Sequence, residues 1–499
     1  MAKAPTFESA VDVLVIGAGI SGIAMGVLLK KASLSFVILE KEADLGGTWR
    51  DNVYPGSGCD VVSHLYSFSF DQKPDWTRRF ALQDEIQVYL KDCVRKFGFA
   101  ENIRYGITVI SAVFDEKSAW WRVTTDDGTV ILARFVVSAV GQLNQPFTPS
   151  LEGSDLYRGK KFHSARWDRN CDLAGKTVAV IGSGASAIQF VPEIAKKVGK
   201  LILFQRSPNW VIPKEDRPVP VWERRLYGTV PFLLKLRRLL DYWALERTFL
   251  AFLKTSNYGR YWERLSLEAL QRDVADPELR AMLTPDYPAG CKRILLSNEW
   301  YKTLARKNVL VTPRGVTGFY EHGLVDSRGE QHEAEVVIYA TGFKSQNFLS
   351  PISVVGRSGV KLDEVWNPYP KTHRGMTVPG FPNFFMLYGP NTNLGHGSAI
   401  FMLECQANYT VASIKAALAK KCNVIEPKLE ATEKSYLEME SEMDRTVWSA
   451  GCSSWYKTAD GKIVNNWSSH TVKYWWQTRR PRLAEFNLSS VKEAADGEI

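Results

Sequence analysis

Two glycine-rich stretches limit what this chain can fold into more than any other feature. Gly17-Ala18-Gly19-Ile20-Ser21-Gly22 and Gly182-Ser183-Gly184-Ala185-Ser186-Ala187 each follow a short apolar run (residues 11–16 and 177–181) and each open an apolar, helix-like segment. In such a unit the first glycine permits a tight strand-to-helix turn and the second lets the backbone approach a pyrophosphate. The third lets helix and strand pack closely, and the helix N-terminus attracts the phosphate charge. One string of this kind is weak evidence, because glycine turns arise by chance; strand context on both copies makes the pair specific. Two dinucleotide sites in one chain call for two cofactors, or a cofactor and a cosubstrate, and so for redox chemistry.

The two units differ where the ribose is read. In the first, Phe36-Val37-Ile38-Leu39 ends at Glu40, whose carboxylate accepts hydrogen bonds from ribose hydroxyls and repels a 2′-phosphate. In the second, Leu201-Ile202-Leu203-Phe204 leads to Gln205-Arg206-Ser207, and the Arg206 guanidinium is a fork of donors suited to a 2′-phosphate. An arginine at a strand end is often only a solvated charge, but a place about twenty residues after the glycine turn favours the functional reading. The first site is expected to take an unphosphorylated adenosine dinucleotide, the second NADPH.

At 499 residues the chain can hold two or three domains with sizeable cores. Its net charge of +9, from 63 basic and 54 acidic residues, contains no basic run long enough to suggest nucleic acid. Seven scattered cysteines with no CxxC argue for free thiols in a reducing compartment and give no zinc-ligand spacing. Residues 1–7 lack the regions of a secretory signal, so a cytoplasmic location is expected and the sequons at Asn408, Asn466 and Asn487 are read as chance. Residues 227–253 look membrane-like, yet Lys235, Arg237, Arg238, Asp241, Glu246 and Arg247 interrupt them, leaving no uncharged span of ~20 residues. A membrane-surface helix is one reading; a helical unit packed onto the rest is the plainer one.

The expected fold is α/β, with two Rossmann-like dinucleotide-binding domains and a helical insertion in the second. Residues 120–123 and 129–132 read as hairpin strands, followed by a separate buried strand over 135–140 that Gly141 ends. The runs 136–141 and 336–342 look like corresponding strands of a duplicated domain. After residue 345 the chain is expected to return to the first domain, where a strand over 384–388 leads through Gly389-Pro390-Asn391 to a long helix near 398–419. The boundaries drawn are 1–143 with 375–499, 144–214 with 291–374, and 215–290 for the insertion.

A further set of residues carries a family resemblance. Leu45-Gly46-Gly47-Thr48-Trp49 through Tyr54-Pro55-Gly56-Ser57-Gly58-Cys59-Asp60 resembles the GGxW…(F/Y)PG…D signature of type I Baeyer–Villiger monooxygenases. Residues 157–168, with Gly159, His163 and Trp167, look like that family's FxGxxxHxxxW(P/D) fingerprint, with Tyr157 for the leading Phe. Gln205-Arg206-Ser207-Pro208-Asn209 and Gly290-Cys291-Lys292-Arg293 are similar to two more family segments. Ala187 replaces the third glycine, which the motif tolerates, and Lys344 stands where an Asp is usual.

The resemblance implies FAD at the first site, held by Gly17, Gly19, Ile20, Gly22, Glu40, Gly47, Thr48, Trp49, Asp60, Tyr66, Val109 and Asn391. It implies NADPH at the second, held by Gly58, Cys59, Gly182, Ser183, Gly184, Ala185, Ser186, Gln189, Arg206, Ser207, Lys292, Arg293 and Thr341. The implied reaction is insertion of one oxygen atom from O2 into a ketone, through a C4a-peroxyflavin, to give an ester or lactone. Arg293 matches the family's catalytic arginine and Asp60 the aspartate that orients it; for Asp60 a structural turn role is the alternative. His163 reads as a structural group coupling the linker to domain motion. The competing function is a related flavin monooxygenase acting on sulfur or nitrogen, which needs a protonated rather than an anionic peroxide. A disulfide oxidoreductase would need a partner for Cys59 that the sequence does not offer, and a nucleotide sensor would show no oxygen-dependent turnover. Monomer and dimer are both open.

Overall fold

The computed structural model describes residues 7–452 and 454–491. In chain order the elements that position the site are β1 (Phe7–Ile16), α1 (Ile20–Ala32), β2 (Phe36–Glu40), β3 (Ile103–Tyr105), β4 (Val109–Asp115), β5 (Trp120–Thr125) and β6 (Val130–Ser138). Next come β7 (Lys160–His163), β8 (Thr177–Ile181), α2 (Ala187–Ile194), β9 (Lys200–Phe204), α3 (Val221–Thr229), α4 (Pro231–Arg247), α5 (Tyr258–Asp273) and α6 (Pro277–Leu283). The chain closes with β10 (Val309–Thr312), β11 (Val336–Tyr339), β12 (Ser353–Val355), β13 (Phe384–Met386), α7 (Ala399–Ala419) and α8 (Thr471–Thr478).

The first sheet has the order β12-β4-β5-β6-β1-β2-β3, with β13 added parallel to the end of β6. Its centre, β6-β1-β2, is parallel, and Val13, Leu14, Val15, Phe135, Val136 and Val137 have no exposed surface. Such complete burial is what a parallel sheet covered on both faces requires. The second sheet, β10-β9-β8-β11-β7, is parallel throughout. The expected duplication is borne out: β6 lies beside β1 as β11 lies beside β8.

Three expectations need correction. Residues 129–132 and 135–140 are not two strands; β6 runs unbroken from Val130 to Ser138, parallel to β1 along its length, with β5 antiparallel beside its first half and β13 parallel beside its end. No turn residue lies between the halves, so nothing breaks the strand. The chain re-enters the first sheet at β12, which pairs with β4, in line with the return expected after residue 345 but ahead of the boundary drawn at 375. The seven thiols are not all free: Cys291 and Cys452 form a disulfide with their Cα atoms 6.4 Å apart, leaving Cys59, Cys93, Cys171, Cys405 and Cys422 unpaired. The partners are 161 residues apart, so no spacing rule reaches them.

The insertion joins both halves. Ala269, Leu270 and Val274 near α5 and Leu283 of α6 share a core with Val178, Val180 and Leu203 of the second sheet. Arg238 of α4 donates to the carbonyls of His64 (2.7 Å) and Ser67 (2.9 Å) in the first half. No helix among the described residues is long and apolar enough to cross a membrane.

Four buried histidines, His64, His163, His373 and His396, have their pKa values lowered, burial being the largest cause in each; His163 falls to about 4. A depressed folded pKa gives stability that is complete above the unfolded value near 6.5 and is lost as pH falls toward the folded value. We therefore expect unfolding free energy to drop by on the order of 2 kcal/mol between pH 7 and pH 4.5, with His163→Gln flattening part of the slope. Denaturant titrations across that range would check this, and a level profile would count against it.

Candidate active site

The first glycine turn is built as its spacing demands. Gly17 has φ +103°, and a Cβ on Gly22 would lie 1.9 Å from the Gly17 carbonyl oxygen, so only glycine allows α1 to start here. In the second unit Ala187 stands at the corresponding place, fully buried, and the helix starts there rather than two residues earlier as in α1. Gly19 caps α1 without a side-chain hydrogen bond, leaving the first N–H groups of the helix for an anion. The Gly46-Gly47 turn closes over this loop, with Gly46 N–H donating to the Ala18 carbonyl at 2.9 Å and Gly47 pressed against Gly19. Thr48 and Trp49 follow directly, and Ile20 opens α1.

Glu40 is buried at the tip of β2. Its carboxylate accepts from the N–H groups of Ala18 (2.8 Å) and Glu42 (3.1 Å) and from Arg50 Nη1 (2.9 Å). A carboxylate offers about four acceptor positions, so one remains for a ribose hydroxyl. Glu40→Ala is expected to weaken FAD retention about tenfold or more, read as flavin per protein after gel filtration; full loading would count against the ribose contact. Val109 opens β4 in the same core as Ile16 and Leu39, two residues beyond Ile107, whose N–H donates to the Glu40 carbonyl. The residues present fit FAD.

The second turn repeats this arrangement. Gly182 has φ +105° and a Cβ there would meet the Ala340 carbonyl at 2.5 Å, whereas around Gly184 the space is open for a phosphate. Ser183 is fixed by Asn209, which donates to its carbonyl at 2.9 Å, and Ala185 and Ser186 lead into α2. Arg206 is exposed, and among the described residues no side chain hydrogen-bonds its guanidinium. Close by, Lys292 Nζ donates to Ser207 Oγ at 2.5 Å and stands 4.3 Å above the Tyr287 ring. Burial lowers the Lys292 pKa, Asp286 opposes this and Arg206 adds to it. Two neighbouring cations without a carboxylate hydrogen-bonded to either form a receptor for a dianion, which is the fit expected for the 2′-phosphate of NADPH.

Two residues expected at this site have other partners. Gln189 bridges the halves: Nε2 donates to the Gly58 carbonyl at 2.9 Å, and Oε1 accepts from Tyr54 Oη at 3.1 Å and Gly58 N–H at 3.3 Å. Thr341 Oγ1 donates to the Phe147 carbonyl. Each is bonded within the protein before any nucleotide is considered.

Arg293 meets Asp60, Nη2 to Oδ2 at 3.4 Å. Its side chain keeps 43% of its surface accessible, and its charge opposes the burial that raises the pKa values of Tyr66, Tyr388 and Tyr456. Burial disfavours its charge, but Asp60 first, then the phenols of Tyr456 and Tyr388, more than offset this and raise its pKa. Asp60 is held from its other side by Lys214, Nζ to Oδ1 at 3.5 Å, and the same ammonium donates to the Cys59 carbonyl at 2.9 Å. Tyr66 Oη accepts from Trp49 Nε1 at 3.2 Å, which ties the cluster to the Gly47 turn.

Lys214, Tyr388 and Tyr456 were not singled out from the sequence. Tyr388 stands at φ +60°, an uncommon conformation for a bulky side chain and one no sequence pattern reports. Asn391, expected at the flavin, is buried with φ +56° and donates to the carbonyls of Ile463 (3.0 Å) and Asn466 (3.3 Å), fastening the C-terminal segment beside the site. The Cys291–Cys452 bond lies two residues from Arg293 and fastens the same segment.

Two titratable groups can be set aside as acid–base catalysts. His163 is buried, its Nδ1 accepting from Ala165 N–H at 3.1 Å, and its lowered pKa keeps it neutral at pH 7. Burial pushes the Cys59 thiol up to about 12, so it supplies no thiolate.

Comparison with known proteins agrees with this geometry. A family model described as pyridine nucleotide-disulphide oxidoreductase matches residues 14–226, the part holding both glycine turns. A Baeyer–Villiger monooxygenase of Pseudomonas aeruginosa is 40% identical over 97% of this chain and 92% of its own length. One from Streptomyces coelicolor is 41% identical over 98% and 94%. Among solved structures, an oxidized steroid monooxygenase bound to NADP superposes with a TM-score of 0.87 at 29% identity, covering 97% of this chain and all of that one. Cyclohexanone monooxygenase from Rhodococcus sp. Phi1 bound to NADP+ gives 0.86 at 27%, covering 98% and 100%. Paired dinucleotide turns and near-full-length identity of about two residues in five place this chain in the FAD- and NADPH-dependent Baeyer–Villiger monooxygenase family.

Proposed function

We propose that the chain converts a ketone and O2 to an ester or lactone with Arg293 as the catalytic cation and Asp60 as the group that orients it. FAD, when bound, supplies the oxygen-activating redox chemistry, and NADPH supplies the reducing equivalents. The Arg293–Asp60 pair carries this reading, because it holds a permanently charged guanidinium at the Gly58-Cys59-Asp60 loop, which Gln189 ties to the second half. Attack on a carbonyl develops negative charge on oxygen, and a fixed donor at that point stabilises it without reorganisation. Asp60, held by Lys214, keeps the fork of Arg293 in one orientation. The Tyr388 phenol, pushed to about 12 by burial, stays protonated and can donate a hydrogen bond but does not ionise.

The same cation argues against sulfur or nitrogen oxygenation, since a guanidinium favours the anionic oxidant that ketone attack requires. Glu40, Gly17, Gly19 and Gly22 would hold FAD, and Gly184, Arg206, Ser207 and Lys292 would hold NADPH. The NADPH requirement favours the cytoplasm.

Aerobic turnover with NADPH, labelled dioxygen and a panel of cyclic, linear and aryl ketones and thioethers tests the reading. The expected product is an ester or lactone carrying one labelled oxygen atom; sulfoxide as the sole product would move the assignment to the heteroatom class.

A further inference from the structure

Helix α4 is turned inside out. Its solvent face carries Phe232, Leu236, Leu239, Leu240 and Trp243, with Phe232 69%, Leu240 60% and Trp243 53% exposed. These positions follow the three- and four-residue spacing of one helical stripe. The opposite face, turned into the protein, holds Leu234 together with Arg238, Asp241 and Glu246. Those charges are satisfied. Arg238 caps carbonyls of residues 64–67, Asp241 pairs with Arg237 at 2.8 Å, and Glu246 accepts from Thr471 Oγ1 at 2.6 Å at the start of α8. Polar bonds thus dock α4 to the body of the protein, and its apolar stripe is left outside. Single exposed apolar side chains are ordinary; a continuous stripe opposite a buried charged face marks a surface that something covers.

The charges beside the stripe indicate the occupant. Across residues 221–247 every acidic side chain, Glu223, Asp241 and Glu246, is buried, and the fully exposed charges are Arg225, Lys235 and Arg247, all cationic. Helix α3 adds exposed Trp222 and Leu226. Apolar residues with tryptophan on a helix whose exposed charges are basic form the pattern of a helix lying in the plane of an anionic lipid surface. A second copy on this face would set these cations against each other with no exposed carboxylate in the segment to pair them. Spanning is excluded for α4, whose 17 residues include five basic or acidic side chains beyond Lys235.

We propose that the α3–α4 hairpin docks this enzyme peripherally on anionic membranes, with the α4 stripe in the headgroup–acyl boundary and Arg225, Lys235 and Arg247 against lipid phosphates.

The test is co-sedimentation of the full-length FAD-loaded enzyme with vesicles of phosphatidylcholine and phosphatidylglycerol in equal parts, beside vesicles of phosphatidylcholine alone. Partitioning should be about tenfold stronger on the anionic vesicles and should weaken with added salt. A Phe232→Glu/Leu240→Glu variant should lower it about tenfold or more, since both side chains would otherwise enter the apolar boundary. Both positions are exposed, so flavin content and NADPH oxidation in solution should stay at the native level. Absence of binding to either vesicle, or binding that the double variant leaves unchanged, would overturn the proposal. So would a concentration-dependent dimer in sedimentation velocity that the variant dissolves, which would assign the face to a second copy.

Discussion

Arg293→Ala is expected to leave reduction of the bound flavin by NADPH near the native rate while ester formation falls by about 10²-fold or more. Arg293 is paired with Asp60, whereas the receptor proposed for the 2′-phosphate comprises Arg206, Lys292 and Ser207. The two half-reactions should therefore separate, with reducing equivalents still consumed but diverted to hydrogen peroxide. Arg293→Lys keeps a charge yet loses the planar fork that faces Asp60, so it should recover only part of the activity. Stopped-flow flavin reduction, product quantification and peroxide release on the same preparation make the comparison. Native ester yield from Arg293→Ala would remove this residue from the chemistry.

Arg206→Ala should raise the KM for NADPH by about ten- to a hundredfold, the cost of one or two charge-assisted hydrogen bonds, and change that for NADH little. The physical basis is that Arg206 and Lys292 are neighbouring cations to which, among the described residues, no carboxylate is hydrogen-bonded. Removing one member should also let the Lys292 ammonium rise toward its ordinary pKa, because Arg206 is one of the groups that depress it. Equal effects on the two nicotinamide nucleotides would show that the site does not read the 2′-phosphate.

Local features of this fold were legible in the sequence. The strand over residues 177–181, the glycine turns, Glu40 at the tip of β2 and the helix over 399–419 all follow from spacing within a few residues. Backbone sterics and strand or helix periodicity act at that range, so the chain itself carries the signal. The merged strand β6 was misread because composition alone does not tell a short break from a continuous extended run.

The sequence by itself therefore determined two dinucleotide-binding units and the carboxylate and guanidinium expected to read their riboses, and resemblance pointed to Arg293 as the catalytic candidate. Tertiary structure decided the rest. Asp60 and Arg293 are 233 positions apart, and the Tyr388 and Tyr456 phenols and the Lys214 ammonium complete the cluster from three further segments. It also decided that Cys291 bonds Cys452, that Gln189 ties the halves together, and that α4 buries its charges while exposing its apolar stripe. Periodicity states that a helix has two faces; which face meets the protein depends on the partners the fold brings to it, here the carbonyls of residues 64–67 and the hydroxyl of Thr471.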